Sequence, residues 1–251
     1  MGVDRRRMAM ARFKKVLNGL SVASLLVTGS LMLSTVTASA DVDSWLQGCT
    51  QPTAHWYARA VSGYGNTTGT EDTLNTPSQW SVDQAASSTW DQAAWLNNDN
   101  NIQNALEGGL YSGYFGYDGS WTNSMRPYYT INQGESGQEN SSVSIPENHN
   151  IALGVESGSG GVFVYDNTTS QSLSWFNTDY TVSLPAVNDA QGEVTATTNT
   201  WMGNGSGYPN EAFYLPQGSA TWYLWGVNNT CANSPYWINR ASAYSWTSGG
   251  Y

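Results

Sequence analysis

Two glutamates in alternating stretches are the residues of this chain best placed to do chemistry. In Gly192-Glu193-Val194-Thr195-Ala196-Thr197 the apolar Val194 and Ala196 share one face of an extended segment, so Glu193, Thr195 and Thr197 share the other. In Leu106-Glu107-Gly108-Gly109-Leu110-Tyr111, Leu106 and Leu110 share a face, and Glu107, Gly109 and Tyr111 lie opposite. Each carboxylate thus points away from the packed side of its strand, and the glycine beside Glu107 leaves backbone that a second chain can approach. Two such carboxylates brought together can share one proton, which supplies an acid and a base side by side. An ordinary solvated strand shows the same alternation, so the pattern alone leaves both readings open.

Other catalytic devices are missing from the sequence. His55 and His149 belong to no His-Glu-x-x-His zinc pattern, and no Gly-x-Ser-x-Gly elbow occurs. Gly203-Asn204-Gly205-Ser206-Gly207 is followed by no lysine and reads as a turn rather than a phosphate loop. No metal and no cofactor is expected.

The elements that must position the glutamates read as strands. Short alternating or apolar segments recur between Gly, Asn, Ser and Pro punctuation, and no helical period persists. The pattern predicts strands over 106–117, 127–131, 151–156, 162–165, 173–176, 180–184, 193–200, 212–215 and 221–227. Loops are expected at 66–69, 97–101, 134–142, 157–161 and 203–207. Their regular spacing predicts an all-β fold, a single-domain antiparallel sandwich. The chain carries 12 Trp and 15 Tyr, which suit core and strand surfaces and also a groove for an extended polymer.

The first forty residues read as an export signal. Arg5, Arg6, Arg7, Arg12, Lys14 and Lys15 form a basic head, an apolar stretch follows, and Ala38-Ser39-Ala40 is a small-residue cleavage site. The three adjacent arginines leave the export route open. Residues 41–251 are then the working domain, expected to be secreted, extracellular and monomeric. They hold three arginines, no lysine and eighteen acids, a net charge of −15. So acidic a surface repels nucleic acid, whose binding depends on Lys and Arg displacing counterions. It is equally suited to solubility and to operation in acid. No later run is long and apolar enough to anchor the chain in a membrane. Cys49 and Cys231 are the only cysteines, and in an oxidising compartment they are predicted to form one disulfide.

At the two glutamates the sequence resembles the neprosin family of glutamic peptidases. Leu106-Glu107-Gly108-Gly109 is similar to that family's Ile-Glu-x-Gly segment, and Gln191-Gly192-Glu193-Val194 to its Gly-Gly-Glu-Val segment. The stretch from Thr200 to Pro209 is similar to the Thr-x-Met-Gly-Ser-Gly-x-Phe-Pro segment that follows the second glutamate. Leu110 stands where the family commonly has Trp, Gln191 replaces a Gly, and the Met-Gly turn is one residue longer. The cysteine-rich segment of plant members is missing between Met125 and Glu147, and no N-terminal activation domain like theirs is expected.

The resemblance implies a curved, jelly-roll-like β-sandwich with a concave substrate groove and a catalytic pair, Glu107 and Glu193. It implies an acid-acting endopeptidase on polypeptide, with cleavage after proline left open by those departures. One glutamate would activate water and the other would protonate the leaving amine, in roles the sequence does not assign. Tyr111, Tyr114, Trp121, Tyr128, Trp201 and Tyr208 are candidates for the groove, and core packing accounts for each equally well. Two other classes stay open: a sandwich glycoside hydrolase using two carboxylates, and a non-catalytic polysaccharide-binding module.

Overall fold

Among the described residues, period-two patterning broken by turn residues folds into fifteen strands. The computed structural model describes residues 54–78, 81–85, 87–98, 101–115, 120–132, 136–198, 200, 208–227 and 229–250. One sheet has seven strands in the order β13 (Asn229–Ala232), β1 (His55–Gly65), β10 (Ala186–Thr195), β3 (Thr89–Asn98), β4 (Asn101–Tyr114), β5 (Trp121–Ile131) and β6 (Gly137–Asn140). We call it sheet A. Sheet B runs β14 (Tyr236–Arg240), β15 (Ser245–Gly250), β11 (Tyr208–Pro216), β2 (Thr67–Asn75), β7 (Asn150–Glu156), β8 (Gly161–Asp166) and β9 (Gln171–Phe176), with β12 (Tyr223–Leu224) pairing β11. Every pairing is antiparallel. The fold is an all-β, two-sheet sandwich.

Several sequence expectations need correction. Residues 180–184 form no strand; Val182 packs into the core while the Tyr180 hydroxyl bonds Asn104 and Asn132, so the segment closes one end of the sandwich. The segment expected at 193–200 is a strand only to Thr195, because Ala196 takes a positive φ of 75° and turns the chain. Ala196 is consequently exposed rather than packed beside Val194. Within 221–227 only Tyr223 and Leu224 pair. The loops expected at 66–69 and 134–142 contain the start of β2 and all of β6. The signal segment, Cys49, Trp201 and the 203–207 turn lie outside the described residues, as does the Tyr208 side chain.

The core lies between the sheets. Ala58, Ala94, Leu110 and Val194 of sheet A meet Leu74, Ile151, Leu153 and Val164 of sheet B, all essentially without solvent exposure. Gly108 lets β4 approach sheet B closely: a Cβ there would lie 2.2 Å from Val162 Cγ1 and 3.0 Å from Val155 Cγ1. Gly108 precedes Gly109 and follows Glu107, so this close contact fixes the height of the strand that carries the first glutamate.

The outer face of sheet B buries a carboxyl. Glu71 lies opposite Phe213 and Gly154 and is 5% exposed, with Thr73 Oγ1 donating to its Oε1 at 3.1 Å. Aromatic rings close over the glycines beside it: Phe163 covers Gly154, Trp222 covers Gly69, and the two rings meet edge to face at 6.1 Å. Burial pushes the Glu71 carboxyl up to about 8, with the Asp72 charge adding and the Thr73 hydroxyl opposing.

Between the ordinary glutamate range and about pH 8 the folded chain therefore binds a proton at Glu71 that the unfolded chain has released. Stability falls as pH rises through that window, by up to about 1.4 kcal/mol per pH unit from this one group. Thermal unfolding followed from pH 4 to pH 9 should show that decline, and Glu71→Gln should flatten it. Gly108→Ala should lower stability by roughly 1–3 kcal/mol through overpacking against Val162, measured as a drop in the denaturant midpoint.

Candidate active site

Strand register arranges the face of sheet A that turns away from the core into three cross-strand rows. The first runs Tyr57, Glu193, Asp91, Tyr111 and Arg126 across β1, β10, β3, β4 and β5. The second runs Arg59, Gln191, Ala93, Gly109 and Tyr128. The third runs Val61, Asp189, Trp95, Glu107 and Thr130. Side chains two apart on a strand share a face, so all fifteen belong to one surface. Glu107 and Glu193 thus lie on the same face, each turned away from the core as the alternation within its own strand predicts.

Their relation is diagonal. Glu193 stands opposite Asp91 and Glu107 opposite Trp95, four positions further along β3. On a regular sheet that is two strand spacings across, ~9.6 Å, and ~13 Å along. Between them lies a floor of the small residues Ala93 and Gly109. The carboxylate directly across from Glu193 is Asp91, which the sequence reading did not single out.

Each acid sits in a different environment. Glu107, Asp91 and Glu193 are each 8% exposed. Tyr128 donates its hydroxyl to Glu107 Oε1, and Thr130 Oγ1 donates to Oε2 at 2.9 Å. Burial pushes Glu107 up to about 7; the charge of Glu193 adds to this, and the Tyr128 and Thr130 hydrogen bonds oppose it. Asp91 is raised well above the usual aspartate range, first by burial and then by the charges of Glu193 and Glu107. Glu193 is surrounded by donors instead: Gln191 Nε2 donates to Oε2 at 3.1 Å, and His55 Nδ1 meets Oε1. The His55 side chain is 40% exposed, so this end of the site opens to solvent. Its hydrogen bond to Glu193 raises the His55 pKa against the opposing effect of burial.

The buried cation of this face is already committed. Arg59, 1% exposed, pairs through Nη2 with Oδ2 of the fully buried Asp189, and its guanidinium lies 5.4 Å from the Tyr57 ring centre. Even so, burial outweighs Arg59 and holds Asp189 above the usual range. Among the described residues no group of three or more His, Cys, Asp or Glu side chains is placed to hold a metal ion. No helix among them is long and apolar enough to cross a membrane.

The aromatic candidates divide. Tyr111 and Tyr128 are buried and meet edge to face at 5.9 Å, with Phe115 packed against both. They support the carboxylates from within a cluster that includes Ala93 and Trp95, rather than lining an open groove. Tyr114 and Trp121 pair at 5.1 Å at the far end of the β4–β5 hairpin, beyond Tyr111. The motif after the second glutamate is anchored at its first residue. Thr200 Oγ1 meets Ser88 Oγ at 2.6 Å, and the Thr200 carbonyl accepts from the Tyr236 hydroxyl at 2.7 Å. Cys231 stands on β13 opposite Arg59.

No family model and no curated protein matches the chain. Solved structures with similar outline are β-sandwiches. A toad ovary galectin in complex with thio-digalactose shares 11% identity over 57% of this chain and 98% of its own, with a TM-score of 0.31. A tetrameric galectin from the ball sponge Cinachyrella shares 15% over 57% and 90%, with a TM-score of 0.32. LamAcat from Zobellia galactanivorans shares 11% over 56% and 59%, with a TM-score of 0.34. These likenesses concern the sandwich alone.

With only two histidines in the chain, the His55 contact is directly measurable. In Glu193→Gln the imidazole pKa of His55 should fall toward the ordinary histidine value. Proton NMR titration of its ring signal reads the change.

Proposed function

We propose that this chain is an exported endopeptidase of the glutamic type, in which Glu193 activates water and Glu107 acts as the acid. The observation that carries the reading is the unlike surroundings of two glutamates on one sheet face. Glu107 is buried against aromatic rings and holds its proton up to about pH 7. Glu193 receives a hydrogen bond from Gln191 and meets the half-exposed His55. Carboxyls whose environments differ in this way divide into acid and base.

An extended peptide laid over Ala93 and Gly109 would present a carbonyl between them. Glu193 takes a proton from water, and the oxygen attacks the carbonyl carbon. Glu107 hydrogen-bonds the developing oxyanion and then delivers its proton to the departing amine. Loss of that proton above about pH 7 removes the acid, so activity should decline on the alkaline side. The sequence likeness around both glutamates supports peptide as substrate, and the acidic composition fits work at low pH.

A carbohydrate-directed reading has one geometric point in its favour. Asp91 and Glu193 are directly opposed across β3 and β10, a neighbouring carboxyl pair on one face of the kind retaining glycosidases use. The galactoside complex among the similar structures belongs to the same class of ligand.

The two readings separate by product. Secreted protein incubated with a mixed peptide library at pH 3 to 8 should yield new peptide ends by mass spectrometry. Glu107→Gln and Glu193→Gln should each lower that rate by roughly 10²-fold or more with the thermal midpoint retained. Full proteolysis in either variant would remove the assignment. Reducing-sugar release from polysaccharides would favour the glycosidase, and saturable sugar binding without turnover of either polymer would favour a binding module.

A further inference from the structure

Gln191 stands where the resembled peptidase segment has a glycine, and the reaction above gives it no task beyond a hydrogen bond to its neighbour. On the face of sheet A it is one corner of a square. Glu193 lies two residues along β10, Asp91 lies opposite Glu193 on β3, and Ala93 lies opposite Gln191. Gly109 continues the last side onto β4. Three corners thus carry side chains with oxygen atoms, and the fourth presents only a methyl group.

Chemistry fixes which way the Gln191 amide is turned. Its Nε2 donates to Glu193 Oε2 at 3.1 Å, and the reverse setting would put the amide oxygen against a carboxylate oxygen, two acceptors with no hydrogen between them. The amide oxygen Oε1 is therefore the atom left over. Gln191 is 1% exposed, and Oε1 is buried with no hydrogen-bond partner among the described residues. Arg59, opposite Gln191 on β1, is bonded to Asp189 instead. A buried carbonyl oxygen without a donor is costly, and an ordered water is the common means by which such groups are satisfied. Water brings two hydrogens, of which Glu193 as base takes one.

We propose that Gln191 Oε1 and Glu193 together hold the attacking water, one hydrogen to each, so that Gln191 orients the nucleophile. The amide joins carboxylate and water into one ring of hydrogen bonds, with Nε2 on Glu193 and Oε1 on the water. Because both hydrogens are engaged, the lone pairs of the water oxygen are left to face the carbonyl laid over Ala93 and Gly109. In the attack one O–H bond breaks and its proton passes to Glu193. A bond forms from the water oxygen to the carbonyl carbon, and the carbonyl electron pair moves onto the oxygen that Glu107 hydrogen-bonds. The second hydrogen stays on the attacking oxygen, held by Gln191. The orienting role rests on the peptidase reading, whereas the water site does not.

High-resolution diffraction from crystals of the whole secreted protein tests the site without any substrate. An ordered water should lie within about 3.2 Å of both Gln191 Oε1 and a Glu193 carboxylate oxygen, and it should be gone in Gln191→Leu. A wild type with no water at that position would overturn the proposal. So would a water retained in Gln191→Leu, since Asp91 Oδ1 is the other unpartnered oxygen of the square and would then be the atom taking the second hydrogen. On a cleaved peptide, Gln191→Leu should lower kcat roughly 10- to 100-fold with KM within about twofold. An unchanged kcat, or a loss confined to KM, would sink the orienting role. If Gln191→Leu fails to fold by circular dichroism, the wild-type diffraction decides the site and Gln191→Met, closer in shape, takes its place in the kinetics. Should the wild type cleave no peptide, the peptidase reading fails while the diffraction still decides the water site.

Discussion

Three carboxyls buried on one face of a sheet are costly to charge together. Asp91, Glu107 and Glu193 are held together by the antiparallel register of β10, β3, β4 and β5, and the arrangement persists only if their charges are answered. The chain answers them with donors and protons more than with cations. Gln191 and His55 attend Glu193, and Tyr128 and Thr130 attend Glu107, while the one buried arginine of the face is spent on Asp189. Breaking that last pair would strand a charge in the interior, which costs far more than the pair contributes.

The same preference recurs away from the site. Glu71 is buried beneath aromatic rings on the opposite sheet, and Asp189 remains raised despite Arg59. Each of these groups binds a proton more tightly folded than unfolded, so folding and protonation favour one another over the acidic range. In a polypeptide with eighteen acids after residue 40 and only three arginines, these groups add to the relief of surface repulsion that acid brings, whereas Asp166, held below the usual aspartate range, loses its contribution there.

The faces of the two glutamates were legible because strand alternation has a strict period: Val194 and Leu110 are in the core, and Glu193 and Glu107 are opposite. The sandwich was legible for the same reason, from recurrent short segments. β3 escaped notice because it is buried on both faces, with Ala93, Ala94, Trp95 and Leu96 in succession and no alternation to read. Asp91 was hidden with it. His55 was hidden by distance, since 138 positions separate it from Glu193 and only the β1–β10 register brings them together. Tyr111 and Tyr128 could be placed in a groove or in a core on composition alone, and packing with Phe115 settles which. The strand end at Ala196 depends on a backbone angle that an alanine does not advertise.

β10 occupies the slot between β1 and β3, although it follows both by roughly a hundred residues. A chain made from its N-terminus therefore exists for a time as two half-sheets, β1 on one side and the β3–β4–β5 meander on the other. Their facing edges carry unsatisfied backbone amides and carbonyls. The arrival of β10 zips these edges and delivers Glu193 to the other acids in the same event. Assembly of the polar face is thus inseparable from closure of the sheet, so a truncated or stalled chain lacks it altogether and leaves adhesive strand borders for a chaperone to mask.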